Sequence, residues 1–337
     1  MVKLEISQDR LHLGECFAVS FQRTLRIPDD GRTYPLPPGL GRFPIYRVAD
    51  FADRVPPKWH EHGGVFIPMY QREALWLGFH ATAWKPNAVK VAVGRINAIS
   101  GAPDEARLHA QPQDYVVCPE QPWLDGIHTG PAAIRQFVAM PLGLGYTVEA
   151  SLTGTEQFGG MQITVFEPQP GRFPEVPPVQ PPSGPARLAG LRSVGSAVQT
   201  MGLGAGGVMQ QKIYPDPYGI DTWDQDNYQR VFVHILNSAQ FFAITGIEPP
   251  STPIDAQAYT DHGLPWFALY DESASDVPVS ERLTQVKTIT ERDAERGEPT
   301  HGEASLNVSE AQISTVRRGD AGATRDQSSS SETTEPA

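Results

Sequence analysis

The chain has 337 residues, 39% hydrophobic and 20% charged, with 31 Gly and 32 Pro. That is long enough for two ordinary cores, and the density of turn residues argues for many short strands and few long helices. Its formal charge of −12 is concentrated late: from Asp271 to Ala337 there are fourteen acidic and seven basic residues, a net of −7. An acidic surface repels phosphate backbones, and no basic cluster interleaved with aromatics occurs, so nucleic-acid binding is disfavoured and the charge reads as a solubility feature.

In chain order, the first segment, 1–167, reads as short β-like runs separated by turn chemistry. The run from Cys16 to Phe21 opens it, Asp29-Asp30-Gly31 makes a turn, and Tyr34 to Pro44 is too rich in Pro and Gly for regular structure. Further strands are predicted at Gly64–Pro68, Leu75–Trp84, Val89–Ile99, Tyr115–Cys118, Arg135–Met140, Tyr146–Leu152 and Met161–Phe166. Their spacing is that of an antiparallel sandwich or barrel. Val89, Val91 and Val93 alternate with Lys90 and Ala92, the pattern of a half-buried strand.

From Pro168 to Pro185 nearly every second residue is proline, so 168–185 is predicted to run as an extended linker or strap outside any ladder. The segment 186–275 is mixed. Arg230 to Leu236 is apolar on both faces and reads as a central strand, followed by a short helix from Ser238, capped by Asn237 or Ser238 and stopped by Gly246. A second helix is predicted with Thr252 as cap, Pro253 in the first helical position and Gly263 as its end. In 276–318, Leu283, Val286 and Ile289 fit either a helical face or a strand, and Ser309 to Gln312 fits a capped turn. The tail 319–337 has the composition of a disordered segment.

The stretches from Met201 to Asp216, Val233 to Ser238 and Gly263 to Phe267, with Arg135 to Leu142, resemble a group of uncharacterised microbial proteins with no assigned activity. The resemblance spans most of 1–275 and implies no site.

Candidate chemistry is sparse. His60 and His62, two apart, can meet one metal from the same side of a strand, but no carboxylate follows before Glu73, and an exposed loop pair after Pro56-Pro57 explains them as well. The glycines from Gly202 to Gly207 suggest a phosphate loop; the run lacks the Gly-Lys-Ser/Thr ending, and a flexible or closely packed glycine loop is the plainer expectation. Ser193 to Gln211 carries no charge for 19 residues, yet its glycines and glutamines make it too polar for a span, so no stable membrane crossing is expected. Asp216, Asp221, Asp224 and Asp226 do not match an EF-hand, and turn formation accounts for them. Cys118 with His128 or His234 is the one tempting nucleophile pair, but a lone Cys before Pro119 is ordinarily a small buried hydrophobe. His234, mid-strand, is expected to be structural.

The sequence therefore points to an α+β protein: a β-rich, antiparallel sandwich or barrel-like first part with a smaller mixed second part. The leading functional expectation is a non-catalytic binding or assembly module of unknown ligand, with Trp223, Trp266 and Phe267 as ligand-binding candidates and a protein partner or a homo-oligomer as its associate. The rival is an enzyme or metal-binding protein assembled from dispersed histidines, His60 and His62 first; a third reading is membrane association through 193–211. No cofactor is specified. The two cysteines, Cys16 and Cys118, without a CxxC pair, and an N-terminus without an apolar h-region lead to the expectation of a cytoplasmic, unexported protein.

Overall fold

β-Branched and aromatic runs bounded by Gly, Pro and Asp give strands along most of the chain, and the computed structural model describes residues 4–174, 200–270, 275–299 and 304–317. In the N-terminal part these are β1 (Glu5–Ser7), β2 (Arg10–Leu13), β3 (Phe17–Thr24), β4 (Thr33–Tyr34), β5 (Tyr46–Arg47), β6 (Val65–Met69), β7 (Ala74–Ala81) and β8 (Asn87–Val93). There follow β9 (Ile96–Asn97), β10 (Val116–Cys118), β11 (Trp123–Leu124), β12 (Gly126–Gly130), β13 (Ala133–Pro141) and β14 (Met161–Pro168). The remaining strands are β15 (Thr200–Gln210), β16 (Trp223–Asn237), β17 (Trp266–Tyr270) and β18 (Ile313–Arg317). Short helices α1 (Pro57–His62), α2 (Val148–Thr153), α3 (Ser238–Thr245), α4 (Ala256–Asp261), α5 (Glu281–Thr284) and α6 (Ile289–Arg296) fill the connections.

The result is a β-rich open sandwich whose main sheet runs β1-β2-β3-β7-β13-β15-β16-β14-β8-β10, antiparallel along this path. β17 and β18 form a separate parallel pair. Strands β15 and β16, from beyond the Pro-rich stretch, lie between β13 and β14, from before it, and Met201, Leu203, Val233 and Ile235 share one core cluster with Phe21, Leu77, Val91 and Ile163. The boundary at 168–185 is thus one of sequence and not of the sheet. Residues 175–185 of the expected strap, and the whole tail 319–337, lie outside the described residues.

Several elements differ from expectation for identifiable reasons. The predicted strand Tyr146–Leu152 is α2: Thr147 Oγ1 accepts from the Ala150 amide at 3.1 Å, and Gly154 ends the helix in a left-handed conformation. The apolar spacing that imitated a strand also suits one helical face. In the helix at 256–261 the cap is Asp255, which accepts from the Ala258 amide at 3.0 Å, and not Thr252. Lys90, expected on a solvent face of β8, is buried, with its ammonium 2.7 Å from Asp114 and donating to the Arg107 carbonyl, because the chain carrying Leu108 and Tyr115 covers that face. Leu283, Val286 and Ile289 are buried on α5, the following turn and α6.

The largest correction concerns the glycine run. Gly202 to Gly207 forms no loop: it is the middle of β15, buried throughout. β15 pairs with β16 only at Thr200 and Met201; beyond that its edge is patched by single bridges from Thr147 to Gly204 and from Thr288 to Ala205, and then by β4 at Val208 and Met209. Chain passes so near that a β-carbon on Gly207 would lie 2.1 Å from the Pro28 carbonyl oxygen. No helix among the described residues is long and apolar enough to cross a membrane, and residues 200–210, more than half of the uncharged stretch, are committed to the sheet.

Candidate functional site

After β15 the chain continues through Lys212 to Pro217, where Pro215 and Pro217 have no amide proton and a regular ladder cannot form. Buried glutamine side chains take over the pairing. Gln121 donates to the carbonyls of Trp123 and Lys212, both at 3.2 Å, and accepts from the Tyr214 amide at 3.1 Å. Gln113 does the same one step along, donating to the carbonyls of Tyr115 at 2.8 Å and Tyr214 at 3.0 Å and accepting from Asp216 N at 2.9 Å. Gln211 joins the Asp125 amide at 3.1 Å and its carboxylate at 3.0 Å. A carboxamide carries both donors and an acceptor, so one side chain can clip two strands whose own backbones cannot meet.

Asp276 adds a fourth clip. Its carboxylate accepts from Ile213 N at 2.8 Å, Ala132 N at 2.6 Å and His128 Nε2 at 3.2 Å. Burial alone would raise its pKa, but these hydrogen bonds outweigh that and hold the carboxyl below the usual carboxylate range.

The clipped segment walls a cavity of about 230 Å³. Trp123, Tyr214, Phe267 and Leu36 supply apolar surface, and Gln210 and Lys212 supply polar groups. Phe267 is fixed by two backbone bonds with Leu36, at 2.8 and 2.9 Å, and Trp123 packs edge-on against Trp76 with centroids 6.3 Å apart. The Gln210 side chain is exposed and engages no other described residue.

Of the three aromatic residues singled out from the sequence, the fold brings only Phe267 to this cavity. Strand alternation sends Trp266 to the opposite face, where it is fully buried beside Tyr259 and its Nε1–H has no partner among the described residues. Trp223 lies in another cluster; its Nε1 donates to Asp216 at 2.9 Å, on the carboxylate oxygen that also accepts from the Tyr115 hydroxyl.

The histidines are distributed elsewhere. His60 and His62 sit on α1, where residues two apart point in nearly opposite directions, unlike the strand geometry that motivated the pair. His60 is exposed; His62 stacks on Phe232 with centroids 4.5 Å apart. His234 is close by, stacked on Trp59 at 4.5 Å, and its Nε2–H donates to the Gly63 carbonyl at 3.0 Å, a bond that fixes the tautomer because a carbonyl only accepts. Burial pushes its pKa down to about 4. His128 is fully buried against Asp276, and Cys118 is buried with its thiol toward the Gln121 carbonyl, its pKa raised by burial and by Glu120. No group of three or more His, Cys, Asp or Glu suited to a metal ion occurs among the described residues. Asp216 and Asp224 accept from the amides of Tyr218 and Asp226, as side chains in local turns do.

Sequence reasoning missed the cavity because its makers, Gln113, Gln121 and Gln211, carry no motif. The available signal was a set of glutamines near a Pro-interrupted stretch that must satisfy its amides somehow. No family model, curated protein or solved structure matches the chain.

Proposed function

We propose that the chain is a non-catalytic binding module that takes a small, single-ring ligand between Trp123, Tyr214 and Phe267. The observation that carries this reading is a cavity walled by three aromatic side chains whose backbones are already held, those of Trp123 and Tyr214 by hydrogen-bonded glutamines and that of Phe267 by Leu36. Such a site is paid for during folding, so a ligand need not order it. Its volume of about 230 Å³ lies below the usual pocket range, which starts at roughly 300 Å³, and that favours one ring over two. The Gln210 amide at the rim suits a ligand with a hydroxyl or carbonyl group. The free thiols Cys16 and Cys118 are compatible with the cytoplasm.

The reading is tested by ligand-observed NMR of the full chain against single-ring sugars, phenols and heteroaromatics. Binding compounds should quench tryptophan fluorescence in the wild type and lose that response in Trp123→Phe. Phe267→Leu and Gln210→Ala should each weaken them. Compounds whose binding ignores all three substitutions, or the absence of any binder, would overturn the proposal.

A further inference from the structure

A second concavity, about 320 Å³ and more open, lies on another part of the surface, between the β8–β9 turn and the loop after α2. The turn consists of Gly94 and Arg95, both left-handed, with φ of +54° and +64°. Glycine suits the conformation; arginine there carries a steric cost of about 1–2 kcal/mol. The Arg95 amide donates to Gln162 Oε1 at 2.7 Å, and its guanidinium carbon lies 5.1 Å from the Phe158 ring centroid.

Phe158, on the loop after α2, is 37% exposed. The loop is held by the buried Glu149 carboxylate, which accepts from the amides of Gln157 at 2.7 Å, Phe158 at 3.2 Å and Gly159 at 3.0 Å. The Phe158 ring also neighbours His62, with centroids 6.0 Å apart. The ring is therefore presented outward on a rigid support, with Ile96 and Pro103 continuing the apolar wall.

The charges in the groove are unequal in availability. Glu149 is taken by three amides, and Asp104 is taken by Arg230 and by Arg95, whose Nε lies 3.8 Å away. Arg282, at the start of α5, lines the groove, is exposed and engages no other described residue through its side chain. In a chain of net charge −12 this is a local site where the uncommitted charge is cationic.

We infer that this groove is a binding site for a planar aromatic carboxylate, its ring lying against Phe158, Ile96 and Pro103 and its carboxylate meeting the guanidinium of Arg282, with Arg95 keeping its pairing to Asp104 at the edge of the groove. Guanidinium matches a carboxylate in plane and number of donors. An inorganic or polyphosphate anion would use the cationic group but not the apolar wall.

The test is a calorimetric and NMR titration of the full chain with 2-naphthoate, with 2-naphthalenemethanol and inorganic phosphate as comparisons. Naphthoate should saturate, shift the amides of Gly94, Arg95 and Phe158, and weaken as salt is raised. Arg282→Gln and Phe158→Ser, both exposed positions, should each weaken it about tenfold, a difference of about 1.4 kcal/mol. Phe267→Leu, at the other cavity, should leave it unchanged. The inference falls if naphthoate does not saturate at millimolar concentration, if the neutral alcohol or phosphate binds as well, or if Phe267→Leu abolishes binding while Arg282→Gln does not.

Discussion

β15 and the C-terminal half of β16 are neighbours in one sheet and comparably buried, yet they are built from opposite materials. β15 contains Gly202, Gly204, Gly206 and Gly207 among eleven residues, whereas β16 from Val231 to Leu236 contains none and is β-branched at Val231, Val233 and Ile235. In β16 the space is filled by side chains packed into the main core. In β15 much of it is filled by other chain: the Tyr146 carbonyl oxygen would stand 2.8 Å from a β-carbon on Gly204, and that of Pro28 2.1 Å from one on Gly207. Burial by backbone approach requires the absence of side chains, so it leaves no hydrophobic signature in sequence.

The largest expected effect breaks the β15 half of this contrast. Gly207→Val places branched carbon where a backbone carbonyl stands, and a carbonyl fixed in its own chain cannot rotate away as a side-chain tip would. The loss should exceed about 3 kcal/mol, beyond ordinary overpacking, and the protein should be recovered misfolded or with a sharply lowered urea midpoint. A variant as stable as wild type would mean that β15 is not closely covered.

Next comes β16. Ile235→Ala removes a side chain only 1% exposed from the principal core and should cost about 2–5 kcal/mol by urea unfolding, with the fold retained because the damage is a void and not a clash. A cost below that range would show that the core around Ile235 collapses to fill the space.

These two strands also mark how far the fold was readable. Val231 to Leu236 announced a central strand because side chains did the packing, and Asn237, Ser238 and Gly246 announced α3 because caps are local chemistry: Asn237 Oδ1 accepts from Ala239 N at 3.0 Å and Gly246 is left-handed. β15 read as a loop because its reasons lie in Pro28 and Tyr146, far away in sequence. Lys90 read as solvent-facing because its partner Asp114 arrives from a covering loop. The same holds for the cavity: Phe267 was visible as an aromatic, but Gln121 and Tyr214 become a wall only when the chain folds back.

A third effect lies within β16 and depends on pH. His234 has an ordinary value of 6.5 and a folded value near 4, so the unfolded chain binds the proton more readily between those limits. Stability from this group is fully present above about pH 6.5 and is lost as pH falls toward 4, reaching a loss on the order of 3 kcal/mol below the folded value. Carboxylates titrate in the same window, so the measurement is the difference between wild type and His234→Gln in urea midpoint from pH 7.5 to pH 4. The wild type should fall more steeply. Parallel curves would place His234 in water and not against Trp59.

The smallest effect sharpens the comparison by staying within one strand. β16 changes environment along its length: Asp226, Asn227 and Tyr228 are exposed, whereas Val233 to Asn237 are buried. If side-chain packing is what stabilises the buried half, the exposed half should tolerate exchange. Asn227 contributes its backbone amide to the Asp224 carboxylate at 3.2 Å, a bond that any residue except proline can make. Asn227→Thr should therefore stay within about 0.5 kcal/mol of wild type, with threonine's preference for extended backbone leaning toward stabilisation. A loss approaching that of Ile235→Ala would mean that this end of β16 is covered in solution by a second copy, a dependence on protein concentration would then accompany it, and the division of β16 into packed and free halves would fail.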